Sequence, residues 1–300
     1  MKPHQLQAFV AVSRQGSIRG AALALGVTPP AVTKILHELE RELGAALIER
    51  SVKGIHLTEC GRAFLPRARV LLDDMRRARD EVTQIRDGSA GQVRVGVSTA
   101  VAQTLFVPAY MAMRDRHPRV SVYVSEGTVP SLFARLLEAQ LDLVVAHVPP
   151  MQARDGLECE TLFMSSMVIG MRSQHPLRNR RHIRDLLDME WILPGDGGVI
   201  TQAATQAFAS VGLPVPRRVV QSDSVTAALA LVAQTDMVGE FVEPVAERMF
   251  APLGIRRLRT TDPLPALPVC AITRSSSTLT PAASQFVTCI REASSGHLPP

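Results

Sequence analysis

The chain has 300 residues, of which 46% are hydrophobic and 4% aromatic, with 33 Lys and Arg against 28 Asp and Glu. That length predicts two or three domains with substantial cores, and no run of about 18 apolar residues points to a membrane span. Four widely separated cysteines (Cys60, Cys159, Cys270 and Cys289) form no Cys-x-x-Cys pair, which argues against a zinc site or disulfide framework and fits a reducing cytoplasm.

The first residues, "MKPHQLQAFVAVSRQGS", lack the apolar stretch and small-residue cleavage site of a secretory signal. Charge is unevenly placed. Residues 1–90 hold 14 Lys and Arg against 10 Asp and Glu, whereas the remaining 210 residues hold 19 against 18. A basic excess confined to the first third suggests a polyanionic partner for that part.

Three short helices are predicted before residue 45. Leu6, Phe9, Val10 and Val12 give the first an apolar side. Ser17 suits an N-cap for the second, which stops at Gly26 and carries the small Ala21 and Ala22. The third opens at Thr28 with Pro29 at its first position, where a missing N–H costs nothing. The Thr28 hydroxyl is expected to cap Ala31 N–H.

Val32, Ile35, Leu36 and Leu39 form the buried stripe of this helix and leave Pro29, Pro30, Thr33, Lys34 and His37 toward solvent. Helix, tight turn and helix in this order is the helix-turn-helix arrangement, whose second helix enters the major groove. A helical hairpin inside some other core would share the pattern. The segment "HELE" is not a zinc-protease helix, because Arg41 stands where the second His is needed. Next, "ALIERSVKGIHLTECG" predicts strand, turn and strand, with Arg50, Lys53 and His56 near the turn, as a wing touching phosphate or minor groove requires.

At this point the sequence resembles the N-terminal domain of LysR-type transcriptional regulators. The family's paired alanines and Leu correspond to Ala21, Ala22 and Leu23. Its recognition-helix start corresponds to Thr28, Pro29, Pro30, Ala31, Val32 and Thr33. Leu39 and Glu40, Leu43 and Gly44, Arg50, Leu57, Thr58 and Gly61 continue the match over about 60 residues. Two positions depart: Pro29 stands where the family usually has Gln, and Ile48 where it has Phe. Since Pro cannot donate, Thr33, Lys34 and His37 are expected to carry more of the base reading. The DNA-contact set implied is Ser17, Arg19, Thr28, Pro29, Pro30, Thr33, Lys34, His37, Arg50 and Lys53.

From Thr58 to about Arg86 one long helix is predicted. Phe64, Ala68, Leu71, Met75, Ala78, Val82 and Ile85 repeat at alternating spacings of four and three, an a/d seam suited to a homodimer. Pro66 should kink this helix or mark where its first turn gives way. In the family this element is the linker helix that pairs two DNA-binding domains. "RDGSAGQ", residues 86–92, reads as a flexible hinge.

Strands and helices then alternate. Strands are expected at "QVRVGVST", "VSVYVSEG" and "LDLVVAHV", with helices at "AVAQTLFVPAYMAMRDRHP" and "PSLFARLLEAQ". A second series follows: "SMVIGM", "EWILPG", a helix near 199–211, "RRVVQS", a helix near 224–234 and "MVGEF". The strand "LPVCAIT" and the helix "TPAASQFVTCI" close the chain. Such alternation predicts an α/β sheet with ligand chemistry at the carboxyl ends of strands.

The resemblance implies a winged helix-turn-helix (all-α with a small β wing) over 1–60, a linker helix over 61–88, and a periplasmic-binding-protein-like α/β effector domain over 89–300. Its two subdomains would span about 91–162 with 267–300, and 163–266, with crossing strands near 161–165 and 264–269. The effector would sit in the cleft between them, near Ser98, Thr99, Ala100, Thr128, His147 and Thr201. Hydroxyls at helix starts suit a small organic or aromatic acid. Asp196, in the loop of Gly195, Gly197 and Gly198, would oppose an anion unless turned outward, and those glycines make no Gly-x-Gly-x-x-Gly nucleotide signature.

A DNA-binding transcriptional regulator acting on promoter DNA as a homodimer or homotetramer therefore fits best, without cofactor, metal or membrane. A solute-binding protein would share the α/β halves but need an export signal and no winged helix. No Gly-x-Ser-x-Gly elbow, His-Glu-x-x-His or carboxylate cluster supports an enzyme.

Overall fold

The computed structural model describes residues 1–51, 54–87, 91–148, 156–194, 199–275 and 278–295. Helices α1 (Pro3–Gln15), α2 (Ile18–Leu25) and α3 (Pro29–Leu43) each end at a glycine in the left-handed conformation: Gly16, Gly26 and Gly44. Ser17 caps α2 as expected, its hydroxyl accepting from Gly20 N–H at 3.0 Å. Thr28 holds the N-cap position of α3 with extended backbone, but its hydroxyl makes no capping bond to Ala31. Two prolines remove donors from this first turn, and the Thr28 carbonyl accepts from Val32 N–H at 3.2 Å.

Leu6, Phe9, Val12, Ala21, Ala22, Val32, Leu36, Leu39, Leu47 and Ala68 form one core. Strands β1 (Ile48–Ser51) and β2 (Gly54–Leu57) pair antiparallel as the wing. Ile55 N–H donates to the Gly16 carbonyl at 3.2 Å, which ties β2 to the end of α1. Glu40 reaches from α3 to accept Leu47 N–H (2.8 Å) and Ile48 N–H (3.2 Å), so it anchors the start of the wing.

Helix α4 (Glu59–Asp87) is capped by Thr58, whose hydroxyl accepts from Gly61 N–H at 3.0 Å. The helix runs unbroken through Pro66, so no first turn gives way there. The seam expectation needs shortening. Ala68 is fully buried in the chain's own core, and Phe64 lies 5.6 Å from the Phe9 ring, so these two positions serve the winged helix rather than a partner. Leu71, Met75, Ala78 and Val82 remain exposed, Val82 at 66%. The Ile85 side chain lies outside the described residues, as do Lys53 and hinge residues 88–90.

The chain divides into two compact units, Met1–Gly88 with Leu137–Gln140, and Ser89–Leu136 with Leu141–Pro300. The second unit opens with β3 (Gly91–Val97), flanked in parallel by β4 (Val120–Glu126) and β5 (Leu143–His147). The single helix expected over 100–118 is two: α5 (Thr99–Gln103) and α6 (Phe106–Arg116). Pro108 explains the break, because in a continuous helix its ring would displace the bond to the Thr104 carbonyl. Helix α7 (Val129–Leu137) leads into β5.

Strand β6 (Leu157–Arg172) is the long crossing strand. Its first part pairs antiparallel with β11 (Ala266–Arg274), and after Ser166 it takes β9 (Val238–Val242) as partner instead. Beyond β9 the sheet continues in parallel through β7 (Trp191–Pro194) to β8 (Val219–Ser222). The three-residue β10 (Ile255–Arg257), not legible in the sequence, pairs with the end of β6. Helices α8 (Val199–Ser210), α9 (Val225–Gln234), the short α10 (Glu243–Val245) and α11 (Pro281–Ser295) complete the unit. On β6 the residues Phe163, Ser165, Met167, Ile169 and Met171 are buried while Met164 and Ser166 are exposed, the period of two that a half-covered strand demands.

Gly61 has a specific steric role: a Cβ there would lie 2.0 Å from the Leu47 carbonyl oxygen, a backbone atom that cannot swing away. Gly61→Ala should therefore destabilise the winged helix by about 1–3 kcal/mol through overpacking. Hydrogen exchange in α1–α3 checks this; unchanged protection would mean that α4 shifts without cost.

Candidate DNA-reading face and ligand cavity

Pro29, Pro30, Thr33, Lys34, His37, Glu38 and Arg41 line one shallow concavity on the outer face of α3. The opposite face buries Val32, Leu36 and Leu39, so helical periodicity alone divides the outward face from the core. Lys34 and His37 are exposed and Thr33 is half-buried. His37 Nδ1 approaches Glu40 Oε2 at 3.5 Å. Arg41 shares this face and escaped the sequence reading, although it follows His37 at i+4. Ser17 is held as a cap, Arg19 is exposed, and the Arg50 side chain lies outside the described residues.

In the second unit a cavity of about 450 Å3 opens where β6 changes partner. Ser98, Thr99, Ala100, Thr128 and His147 line it, as the sequence suggested, together with residues it did not single out: Glu126, Met167, Ser222, Asp223, Ser224 and Glu240. The Gly195–Gly198 loop and the Thr201 side chain lie outside the described residues. Met167, Ile192, Phe241, Val242 and Val245 supply much of the apolar wall. This mixture of apolar lining and a few converging polar groups is typical of small-molecule sites.

The helix starts contribute less than expected. Helix α5 has five residues, too short for a useful dipole, and Ser98 makes no capping bond. Pro130 removes a donor from the first turn of α7, and the start of α9 is closed by Ser224, whose hydroxyl accepts from Ala227 N–H at 3.2 Å. Thr99 Oγ1 donates to Glu126 Oε1 at 2.5 Å.

Two titratable groups are perturbed. Burial pushes the Glu240 carboxyl up to about 7 and holds the His147 imidazole down to about 4, so His147 is neutral at physiological pH. Among the described residues lining the cavity, the charged side chains are Glu126, Asp223 and Glu240, with no Lys or Arg.

Residues 3–62 match the family model "Bacterial regulatory helix-turn-helix protein, lysR family", and residues 86–295 match "LysR substrate binding domain". The chain belongs to the LysR family. LysR-family proteins of this composition are DNA-binding helix-turn-helix transcription regulators with an effector-binding domain. The chain is 30% identical over 303 residues to the transcriptional regulator PcaQ of Agrobacterium fabrum, covering 98% of this chain and 95% of that protein. It is 31% identical over 285 residues to the SDS degradation transcriptional activation protein of a Pseudomonas species, covering 93% and 92%.

Among solved structures, full-length CbnR in complex with its target DNA superposes with a TM-score of 0.72 at 24% identity, covering 98% of this chain and 100% of that one. This likeness establishes a shared fold. Among the described residues of this LysR-family chain, no helix is long and apolar enough to cross a membrane.

The Glu240 and His147 shifts make opposite contributions to stability. Folded Glu240 keeps its proton to about pH 7 while the unfolded carboxyl loses it near 4.5, so stability falls as pH rises through that window. Unfolded His147 keeps its proton to 6.5 while the folded imidazole releases it near 4, so its contribution rises with pH and offsets the first. Exposed Glu126 and Asp223 face the same cavity and are screened by solvent. Glu240→Gln should remove only the falling limb. Its stability relative to the parent should grow by on the order of 3 kcal/mol between pH 4.5 and 7 and then level off. Melting of the full-length chain at pH 4.5, 5.5, 7 and 8 reads this; a gap independent of pH would refute the buried-carboxylate account.

Proposed function

We propose that this LysR-type regulator binds promoter DNA as a homodimer or homotetramer, and that a small molecule in the cavity between β3, β5, β6 and β9 modulates that binding. The carrying observation is the outward face of α3, where Thr33, Lys34, His37 and Arg41 stand together beside a proline-started N-terminus. The CbnR–DNA complex, which shares the fold, supports placing this face on a duplex. Pro29 and Pro30 fix the angle of the helix start, and Thr33, Lys34 and His37 read. Ser17 and Arg19 flank the helix, and Arg50 and Lys53 on the wing touch backbone.

Leu71, Met75, Ala78 and Val82, unpartnered on α4, support pairing through that helix. Four free cysteines support the cytoplasm as its place of work. The hydroxyls of Ser98, Thr99 and Thr128 support a polar effector. An organic or aromatic acid draws less support, because no cation lines the described part of the cavity.

Two lysines should fail differently. Lys34→Ala should cost about 1–3 kcal/mol on the cognate site and narrow the gap to random duplex, as loss of a base contact does. Lys53→Ala should weaken all duplexes alike and lower the salt slope by about one. Salt-series titrations on cognate and scrambled DNA separate them; an intact cognate-to-random ratio in Lys34→Ala would make Lys34 a phosphate clamp.

The paired change Leu71→Glu and Met75→Glu places like charges across the proposed seam. Light scattering should then show a smaller assembly, with weaker DNA binding. Unchanged assembly together with unchanged affinity would defeat the seam.

A further inference from the structure

Several buried polar groups elsewhere in the second unit are answered by the fold, although Ser165 Oγ on β6 has no hydrogen-bonding partner. His175, fully buried, meets the Asp236 carbonyl at 3.1 Å and accepts from Leu177 N–H at 3.0 Å. Buried Arg274 donates to the carbonyls of Leu136 (2.8 Å) and Leu141 (3.2 Å). Half-buried Asp262 likewise accepts from Ile183 N–H at 2.6 Å. The cavity departs from this practice.

Glu240, 7% exposed, has both carboxylate oxygens buried without a hydrogen-bonding partner. The same holds for both ring nitrogens of His147, 3% exposed, and for Ser98 Oγ. All three residues line the one cavity. Glu240 sits in the middle of β9, opposite Ile169 of β6, in a strand whose five residues are all buried. A buried carboxyl group without a partner is destabilising there, and a ligand entering the cavity can supply its complement.

The sign of that complement follows from the walls. Glu126 and Asp223 carry negative charge among the described lining residues, Glu240 joins them as pH rises through about 7, and none is opposed by a lining Lys or Arg. Of the helix starts among the described lining residues, those of α5, α7 and α9 are respectively short, proline-interrupted and already capped. An organic anion would meet like charge and few donors. A ligand offering N–H or O–H groups would satisfy the acceptor oxygens of Glu240 and, with neutral His147 and the Ser98 hydroxyl, find partners for both its donors and its acceptors.

We infer that the effector of this cavity is a small uncharged or cationic, donor-rich molecule (a polyol or an amine) gripped by Glu240, and not an organic anion. The inference rests on the reading of this cavity as the effector site. About 450 Å3 accommodates a molecule of monosaccharide or diamine size and more. Glu240 is then the specificity-determining residue of the site, with Ser98 and His147 on the walls of the same cavity.

The test uses the full-length protein and two matched probe sets in a melting-temperature screen. One set holds ribose, myo-inositol, ethanolamine and putrescine; the other holds acetate, succinate, benzoate and 4-hydroxybenzoate. Stabilisation is expected from at least one member of the first set. Calorimetric titration of that probe should weaken by about tenfold in Glu240→Gln, which keeps the shape but loses the charged acceptor. Circular dichroism confirms that the variant is folded.

Stabilisation by the carboxylates alone, kept or tightened in Glu240→Gln, would overturn the donor-rich class while leaving the cavity as the effector site. A donor probe whose affinity is the same in Glu240→Gln would overturn the role of Glu240, and no response to either set would overturn the class. Thr128→Trp separates the two levels, because its indole fills the cavity. A donor probe that still stabilises Thr128→Trp binds elsewhere, and then the cavity reading itself fails.

Discussion

The antiparallel pairing of β6 with β11 is the constraint on which the effector unit depends. Nine residues of β11 hold the first part of β6, and the ladder shifts register between Val269 and Cys270. Past Ser166, β6 leaves β11 and pairs with β9, so a single strand belongs to both halves of the sheet. That exchange sets His147, opposite Val269 on β11, and Glu240, opposite Ile169 on β6, at the edge of the same cavity. Neither residue has a neighbour in sequence that would place it there. The cavity is a consequence of where one strand changes partners, the α/β counterpart of a switch point.

The same economy governs the head. Three short helices bury one core, and the wing is fastened to it at three points: Ile55 to Gly16, Glu40 to Leu47 and Ile48, and Thr58 to Leu47. Each fastening uses backbone groups that a short strand pair would otherwise leave unpaired. Glu40, on the recognition helix itself, thereby couples the orientation of α3 to the wing. Its neighbours His37 and Arg41 line the outward face, so the helix proposed to read DNA also carries the tie to the wing.

Local chemistry explains which features were legible from residues alone. Ser17, Gly26, Pro29 and Gly44 act within a turn or two of their own position, so the helix boundaries of the head follow from them. The strands of the second unit follow from runs such as "LDLVVAHV" for the same reason. The heptad spacing of α4 was equally plain, yet spacing cannot say what surface an apolar residue meets. Ala68 went to the chain's own core and Val82 stayed exposed, although both fit one repeat. Pro108 was visible too, but a proline near a helix start can begin a helix or divide one, and here it divides α5 from α6.

The amino-acid order by itself determined the helix-turn-helix, the wing, the long linker helix and the α/β alternation, because each depends on contacts among near neighbours. It also pointed to Ser98, Thr99, Thr128 and His147, which end strands and precede turns. Glu240 was not among them: one charge inside "MVGEFV" reads as an interruption of a strand and carries no sign of its surroundings. Only the tertiary structure decided that this carboxyl group would be buried and unanswered, lining one cavity with Ser98 and His147, which lie far from it in sequence. Desolvation and the sign of a cavity's charge are properties of walls drawn from distant strands, so they exist only once β6 and β11 have brought those strands together.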